Sequence, residues 1–308
     1  MLFHMIIQKM MIERHNLIFK KPIMKLYNLI PVLILIICCS GSDSSSSVTQ
    51  DQNSPIQEDV FFVPQIIDGV LVDREVLIHL PESFDPIKTY PVVIAFHGNG
   101  GQNNNWFSML SQFVEADEFI GVYPQGHLNS WNLGAEASNA NEIYFLDEII
   151  IKLESYSFYD PSKVYGIGIS NGSALINKLA IETSYFSAIA ALASQLIIGT
   201  IPDGSTSPVS VYQMCGTNDN IIPYNGGISV VGHNFLSASE SAETWANSFN
   251  CSTSTVSEML GEDEILIYTD CESGKEVRLH SVNNAGHNLN QPNTPNFYAP
   301  IWEFLKRF

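Results

Sequence analysis

Two hydrophobic periods take turns along this chain. Short, nearly unbroken apolar runs at 92–96 and 164–169 have the pattern of strands buried on both faces, and apolar residues elsewhere return at helical spacing. Ile143, Leu146, Ile149, Ile150 and Leu153 mark the core face of a predicted helix over 142–155. Ala174, Leu175, Ile176, Leu179, Ala180 and Ile181 mark another, directly after 164–169. Helices are also predicted over 106–117 and 297–308, the last laying its apolar face back on the sheet. Strands are predicted over 119–123, over a β-rich run that starts at Val209, and over the alternating segment 277–282. Ahead of these, 61–67 and 69–80 read as strands that form an antiparallel edge. Strand alternating with helix predicts an α/β fold with a mostly parallel central sheet and helices on both faces. A stretch of about 250 residues, 59–308, suits one domain with a large core.

The N-terminus follows a different pattern. An apolar run over 29–39 is too short for a comfortable transmembrane helix. Lys20, Lys21 and Lys25 precede it and a serine-rich stretch follows, which is the layout of a signal peptide. The run ends in Leu35-Ile36-Ile37-Cys38-Cys39-Ser40 and resembles a bacterial lipoprotein box, in which the cysteine is lipidated and becomes the first mature residue. Cys39 fits that role better than Cys38, because Cys38 supplies the small residue before it whereas Ile37 is bulky. An ordinary secretory signal or a membrane anchor is the alternative. Residues 1–38 are therefore expected to be a lipoprotein signal peptide, with Met24-Lys25 the more conventional start. Residues 39–58 are expected to be a flexible tether, and the protein to be exported and held at the cell envelope by lipid.

Removing the leader changes the charge balance. Residues 1–38 hold five of the 14 basic and one of the 32 acidic residues, so the remainder carries 9 against 31, formally −22. Nucleic acid and anionic lipid are poor partners for such a surface. Membrane contact is expected only through the lipid anchor. Neutral polysaccharides, small esters and oligoesters remain acceptable substrates.

The candidate chemistry begins at Gly168-x-Ser170-x-Gly172. A bare motif of this kind is common, but here a predicted strand leads into it and a predicted helix leaves it, the context of a nucleophile elbow. Such a turn is strained, so the residues two before and two after the serine must be small. The hydroxyl is then exposed at a helix N-terminus, where backbone N–H groups can stabilise an oxyanion. An acid and a histidine should follow in that order. The run from Val209 ends in Gly216-Thr217-Asn218-Asp219, which places Asp219 on a loop at a strand's C-terminal end, where open α/β sheets build their sites. Asn218 and Asp203, the latter in a Pro-Asp-Gly turn, are rivals. Among eight histidines, His287 alone combines the right order, a preceding strand and a flexible glycine beside it. His4 and His15 precede the mature chain, His79 and His280 sit in strand patterns, and His127 and His233 are loop residues with no strand leading into them. His97 belongs to His97-Gly98-Asn99-Gly100-Gly101, which corresponds to the oxyanion loop of lipases and esterases. The oxyanion donors are then the amide of Asn171 and that of Asn99 or Gly100, with His97 bracing the loop. A phosphate-loop reading fails because no Gly-Lys-Ser/Thr follows.

With these stretches the chain resembles the polyhydroxybutyrate depolymerase-like and feruloyl esterase-like carbohydrate esterases of the α/β-hydrolases. The resemblance rests on 90–101, on Tyr123-Pro124-Gln125-Gly126 with Ser130-Trp131-Asn132, and on 160–172. It continues through Cys215-Gly216-Thr217-Asn218-Asp219 with Pro223-Tyr224, Trp245-Ala246 with Cys251, and Ala285-Gly286-His287. It implies an α/β-hydrolase fold and a serine esterase whose nucleophile, acid and base fall on Ser170, Asp219 and His287, with no metal and no organic cofactor. The chain departs from the family's usual pattern at Cys215, Ser173 and Ala285, and at Asn288-Leu289, where a Trp-Pro is common. Trp131 and Tyr224 either line the pocket, where they would stack on a sugar or phenolic ring, or belong to the plain core. Cys251 and Cys271 bracket a segment, 253–269, that reads as strand or hairpin, and can close a disulfide across it; similar proteins carry cysteines at comparable places. Cys215 is then left as a buried free thiol. The expected substrates are feruloyl or acetyl esters on polysaccharide, or short hydroxyalkanoate oligomers. A peptidase of the prolyl-oligopeptidase kind and a non-catalytic surface-binding lipoprotein are the alternative classes.

Overall fold

The structure, a computed structural model, describes residues 60–252, 254–289 and 295–308. The expected signal peptide, the lipidation site Cys39 and the tether to residue 58 lie outside the described residues. Among the described residues no helix is long and apolar enough to cross a membrane.

Parallel strands form the middle of a ten-stranded sheet, five of them predicted from the sequence and one, at 188–192, not. They are β3 (Tyr90–Phe96), β4 (Ile120–Pro124), β5 (Tyr159–Ile169), β6 (Ala188–Leu192), β7 (Ser210–Gly216) and β12 (Val277–Val282), in the spatial order β4-β3-β5-β6-β7-β12 and all paired in parallel. β4, β6 and β7 are buried at every position, which is why they read as runs rather than as alternation. Successive β3 residues serve opposite cores: Val92, Ile94 and Phe96 face one, Val93 and Ala95 the other. The first core is closed by α2 (Glu142–Glu154), α3 (Asn171–Glu182) and α4 (Ala238–Ser248), the second by α1 (Asn105–Glu115) and α5 (Ala299–Leu305). Helices thus cover both faces.

The N-terminal edge is antiparallel, as expected. β1 (Val60–Ile67) pairs with β2 (Val70–His79), which joins β4, and β1 alternates strictly between exposed and buried residues. The opposite edge is antiparallel too. The segment left open as strand or hairpin is a hairpin of β10 (Thr255–Leu260) and β11 (Asp263–Tyr268), added beside β12. Cys251 and Cys271, 20 positions apart, are disulfide-bonded across it, a closure that contributes about 3 kcal/mol in the chain-entropy model. Cys215 is a buried free thiol, and burial pushes its pKa up.

One expectation needs correction. The final helix does not run over 297–308: Pro295–Tyr298 form a 3-10 turn, and α5 starts at Ala299 with Pro300 in its first turn, where a missing N–H costs nothing. β5 also carries an excursion at 160–163, ahead of its apolar run. Tyr159 pairs with Tyr90 and Val164 with Val92, so the residues between loop out, and Asp160 Oδ1 accepts from the Ser162 N–H at 3.0 Å.

Candidate active site

The elbow forms where β5 ends and α3 begins. Ser170 sits between them at φ 56°, ψ −118°, a backbone conformation a serine occupies only when its surroundings enforce it. Its N–H donates to the Leu192 carbonyl at 2.8 Å, and its own carbonyl accepts from Ser173 and Ala174 at 2.9 and 3.0 Å. A Cβ at Gly168 would overlap the Gly172 backbone, and one at Gly172 would overlap Phe96 and His97. The requirement for small residues around the serine is therefore a close approach of three backbone segments.

The acid and the histidine arrive on two loops joined to each other. Thr217 N–H donates to Val282, Asn218 N–H to the Ala285 carbonyl at 2.9 Å, and Asn284 N–H to Thr217 Oγ1 at 2.9 Å. Gly216 has no room for a Cβ against the Ala285 and Gly286 carbonyls. This clamp sets Asp219 Oδ2 2.7 Å from His287 Nδ1 and His287 Nε2 2.8 Å from Ser170 Oγ. Asp219 is buried, and its other oxygen accepts from the N–H groups of Ile221 and Ile222 at 2.8 and 2.9 Å. With a carboxylate on Nδ1, the imidazole proton belongs there and Nε2 is left to accept from the serine hydroxyl. Of the three candidates it is Asp219 that holds His287 Nδ1, while Asp203 caps its own turn by accepting from Ser205.

Asn99, Ser170 and Asn171 line one cavity of about 380 Å³, together with apolar Leu133, Ala174, Ile222 and Phe235. The choice between Asn99 and Gly100 falls against Gly100, whose N–H donates to the Asn129 carbonyl at 2.7 Å and is spent. Asn171 opens α3, where the first amides of a helix have no acceptor within it. That leaves the amides of Asn99 and Asn171 as the candidate oxyanion donors, both residues lining the cavity with Ser170. His97 is a brace: its Nδ1–H donates to Gly98 at 2.8 Å, and its Nε2 accepts from Gly126 N–H at 3.0 Å.

Of the two readings of Trp131, the core one holds. It is fully buried, its Nε1–H donates to the His97 carbonyl at 2.7 Å, and it cannot stack on a substrate. Tyr224 is only half-buried, but its hydroxyl is paired with Ser281 Oγ at 2.6 Å and its ring packs on the core, so it too is structural. Sequence reading missed the support beneath these parts. Arg74 and Glu142 form a buried ion pair at 2.8 Å, with the guanidinium over the Phe145 ring at 3.6 Å. The Asn171 side chain accepts from Trp131 N–H at 2.8 Å and donates to Glu136 Oε1 at 3.3 Å. His233, read only as a loop residue, stands in the cavity wall next to Glu136.

Three other histidines are held neutral by burial. His79, His97 and His280 all have pKa values lowered from the ordinary 6.5, chiefly by desolvation, with Glu115 and Asp263 partly offsetting the effect at His79 and His280. The unfolded chain therefore takes up protons first as pH falls below about 6.5, so the stability these sites contribute is complete above that value and lost below it. The midpoint of thermal unfolding is expected to fall between pH 7.5 and 5.5. A flat or rising midpoint across that window would contradict this assignment.

No family model matches the chain. Its sequence is similar to Feruloyl esterase B of Piromyces equi, 26% identical over 250 residues that make up 76% of this chain and 45% of the relative. It is 28% identical over 180 residues to a probable feruloyl esterase C of Aspergillus clavatus, covering 54% of this chain and 63% of that one. The chain therefore spans between about half and two thirds of the length of these relatives. In structure it resembles an acetyl xylan esterase from Aspergillus awamori, with TM-score 0.57 and 14% identity, over 80% of this chain and 100% of the other. It also resembles a thermostable esterase, with TM-score 0.52 and 15% identity, over 80% and 60%. The fold is that of the α/β-hydrolases.

Proposed function

From an α/β-hydrolase fold and a feruloyl esterase-like sequence, we propose that this protein is a serine carboxylesterase working through an acyl-enzyme. The observation that carries the reading is the unbroken chain Asp219–His287–Ser170, at 2.7 and 2.8 Å, opening into a cavity beside the Asn99 and Asn171 amides. Ser170 Oγ attacks the ester carbonyl carbon while His287 Nε2 takes its proton. The negative charge that develops on the carbonyl oxygen is met by the two amides, and Asp219 stabilises the imidazolium. The tetrahedral intermediate collapses, His287 returns the proton to the departing alcohol, and the acyl group remains on Ser170. Water, deprotonated by His287, then attacks the acyl-enzyme and releases the acid.

The proposed substrates are feruloyl or acetyl esters on neutral polysaccharide, or short hydroxyalkanoate oligomers. The names of the similar proteins support the first class, and the strong negative charge suits uncharged carbohydrate. The test is a panel of p-nitrophenyl acetate and butyrate, methyl ferulate, acetylated xylan, 3-hydroxybutyrate oligomers and a peptide amide. Turnover of esters with none of the amide supports the reading. Preference for the amide would move the protein to the peptidases.

Export as a lipoprotein is the accompanying proposal. It is supported by the basic residues, the short apolar run and Cys39 ahead of a serine-rich stretch. Expressed in a bacterial host, the protein is expected to incorporate a palmitate analogue and sediment with membranes, and Cys39→Ala to abolish both. Equal labelling of the variant would exclude Cys39 as the site.

A further inference from the structure

The wall of the cavity is largely apolar, with Leu128, Leu133, Ile222, Val231 and Phe235 among its residues. Beyond the groups around Ser170, the notable polar feature is a hydrogen-bonded pair, Glu136 and His233, whose side chains are only 13% and 9% exposed. Glu136 is saturated with donors. Its Oε2 accepts from the N–H groups of Leu133 at 2.7 Å and Ala135 at 3.2 Å, and its Oε1 from His233 Nε2 at 2.8 Å and Asn171 Nδ2 at 3.3 Å. Burial opposes ionisation, but the hydrogen bonds from His233 and Leu133 outweigh it and hold the carboxyl below its usual range.

A carboxylate only accepts, so His233 must carry its proton on Nε2. In the neutral ring Nδ1 is then a lone-pair acceptor, and no hydrogen bond to it is found among the described residues, while the residue lines the cavity. The ring cannot drift from this position. The His233 carbonyl accepts from both Ser229 N–H and Ser229 Oγ, at 2.8 and 2.9 Å, which pins the short hairpin of β8 (Gly227–Ile228) and β9 (Asn234–Phe235) that carries it. A fixed acceptor in an apolar wall is costly to leave unpaired and therefore selective.

We infer that His233, fixed by Glu136, is a specificity-determining residue whose Nδ1 accepts a hydrogen bond from a hydroxyl carried on the acyl group of the substrate. The inference rests on the esterase reading. A sugar in this cavity would need several polar partners, whereas an acyl group with an apolar body and one hydroxyl matches what the wall offers. That hydroxyl belongs to either a hydroxyaryl or a hydroxyalkyl acyl group, and both present the same donor to Nδ1.

The experiment measures kcat/KM of the full-length protein for two pairs of methyl esters: 4-hydroxycinnamate against 4-methoxycinnamate, and 3-hydroxybutyrate against butyrate. The wild type is expected to prefer the hydroxyl member of one pair by about tenfold or more, and the pair that responds identifies the acyl class. His233→Leu should bring that ratio to about one. Glu136→Gln should reduce it as well. The Leu133 and Ala135 amides keep the new side chain's oxygen, so its NH₂ faces His233 and forces the imidazole proton onto Nδ1, turning the acceptor into a donor. The Gln variant also carries the test if the Leu variant does not fold. Ester turnover with ratios near one in both wild-type pairs, or a ratio unchanged in a folded variant, overturns the inference and leaves the esterase reading standing. No ester turnover by folded protein overturns both.

Discussion

Replacing Ser170 with alanine is expected to lower kcat on any ester this protein cleaves by about five to six orders of magnitude. The hydroxyl is the atom that forms the covalent bond, and nothing nearby substitutes for it. His287 Nε2 is directed at Ser170 Oγ and at no second nucleophile. The loss should fall on kcat rather than KM, because the cavity and the Asn99 and Asn171 amides persist in the variant. The variant should also fold. The strained backbone at Ser170 is held by Leu192, Ser173 and Ala174 through main-chain bonds that a side-chain change leaves in place. A fall of less than about a hundredfold would mean that Ser170 is not the nucleophile.

Asp219→Asn is expected to lower kcat by about four orders of magnitude with little change in stability. The reason is a tautomer. Asp219 Oδ1 accepts from the Ile221 and Ile222 N–H groups, and Oδ2 accepts from His287 Nδ1–H. An asparagine keeps its oxygen on the two amides and so presents its NH₂ to His287. Nδ1 must then accept, the proton moves to Nε2, and the nitrogen facing Ser170 can no longer take the serine's proton. Circular dichroism and thermal melts alongside the kinetics separate this from unfolding. Activity within tenfold of wild type would show that the carboxylate does not set the imidazole's state.

Much of the site was legible in the sequence because its requirements are local. Gly168 and Gly172 are demanded by backbone approaches on either side of Ser170, and Asp219 and His287 follow strands whose apolar runs are plain. What was not legible depends on partners far along the chain. Whether Asn99 or Gly100 offers its amide is decided by the Asn129 carbonyl, which Leu128 and Asn129, both at positive φ, turn toward the oxyanion loop. Trp131 carries no mark of being buried beneath that loop, and an aromatic near a site looks the same as a stacking platform or a strut. Glu136 and His233 lie 97 residues apart and meet only because the β8–β9 hairpin folds over the cavity. The second antiparallel edge was left open for a related reason. Every β10 residue is exposed, so no burial pattern announces that strand in the sequence.

The most direct test of the central claim is intact mass spectrometry after treatment with a fluorophosphonate, run on the wild type and on Ser170→Ala. A single adduct per wild-type chain is expected, mapped to the peptide containing Ser170, with ester turnover lost in proportion to labelling and no adduct on the variant. An active protein that is labelled elsewhere, or a variant that still takes the label, would contradict it.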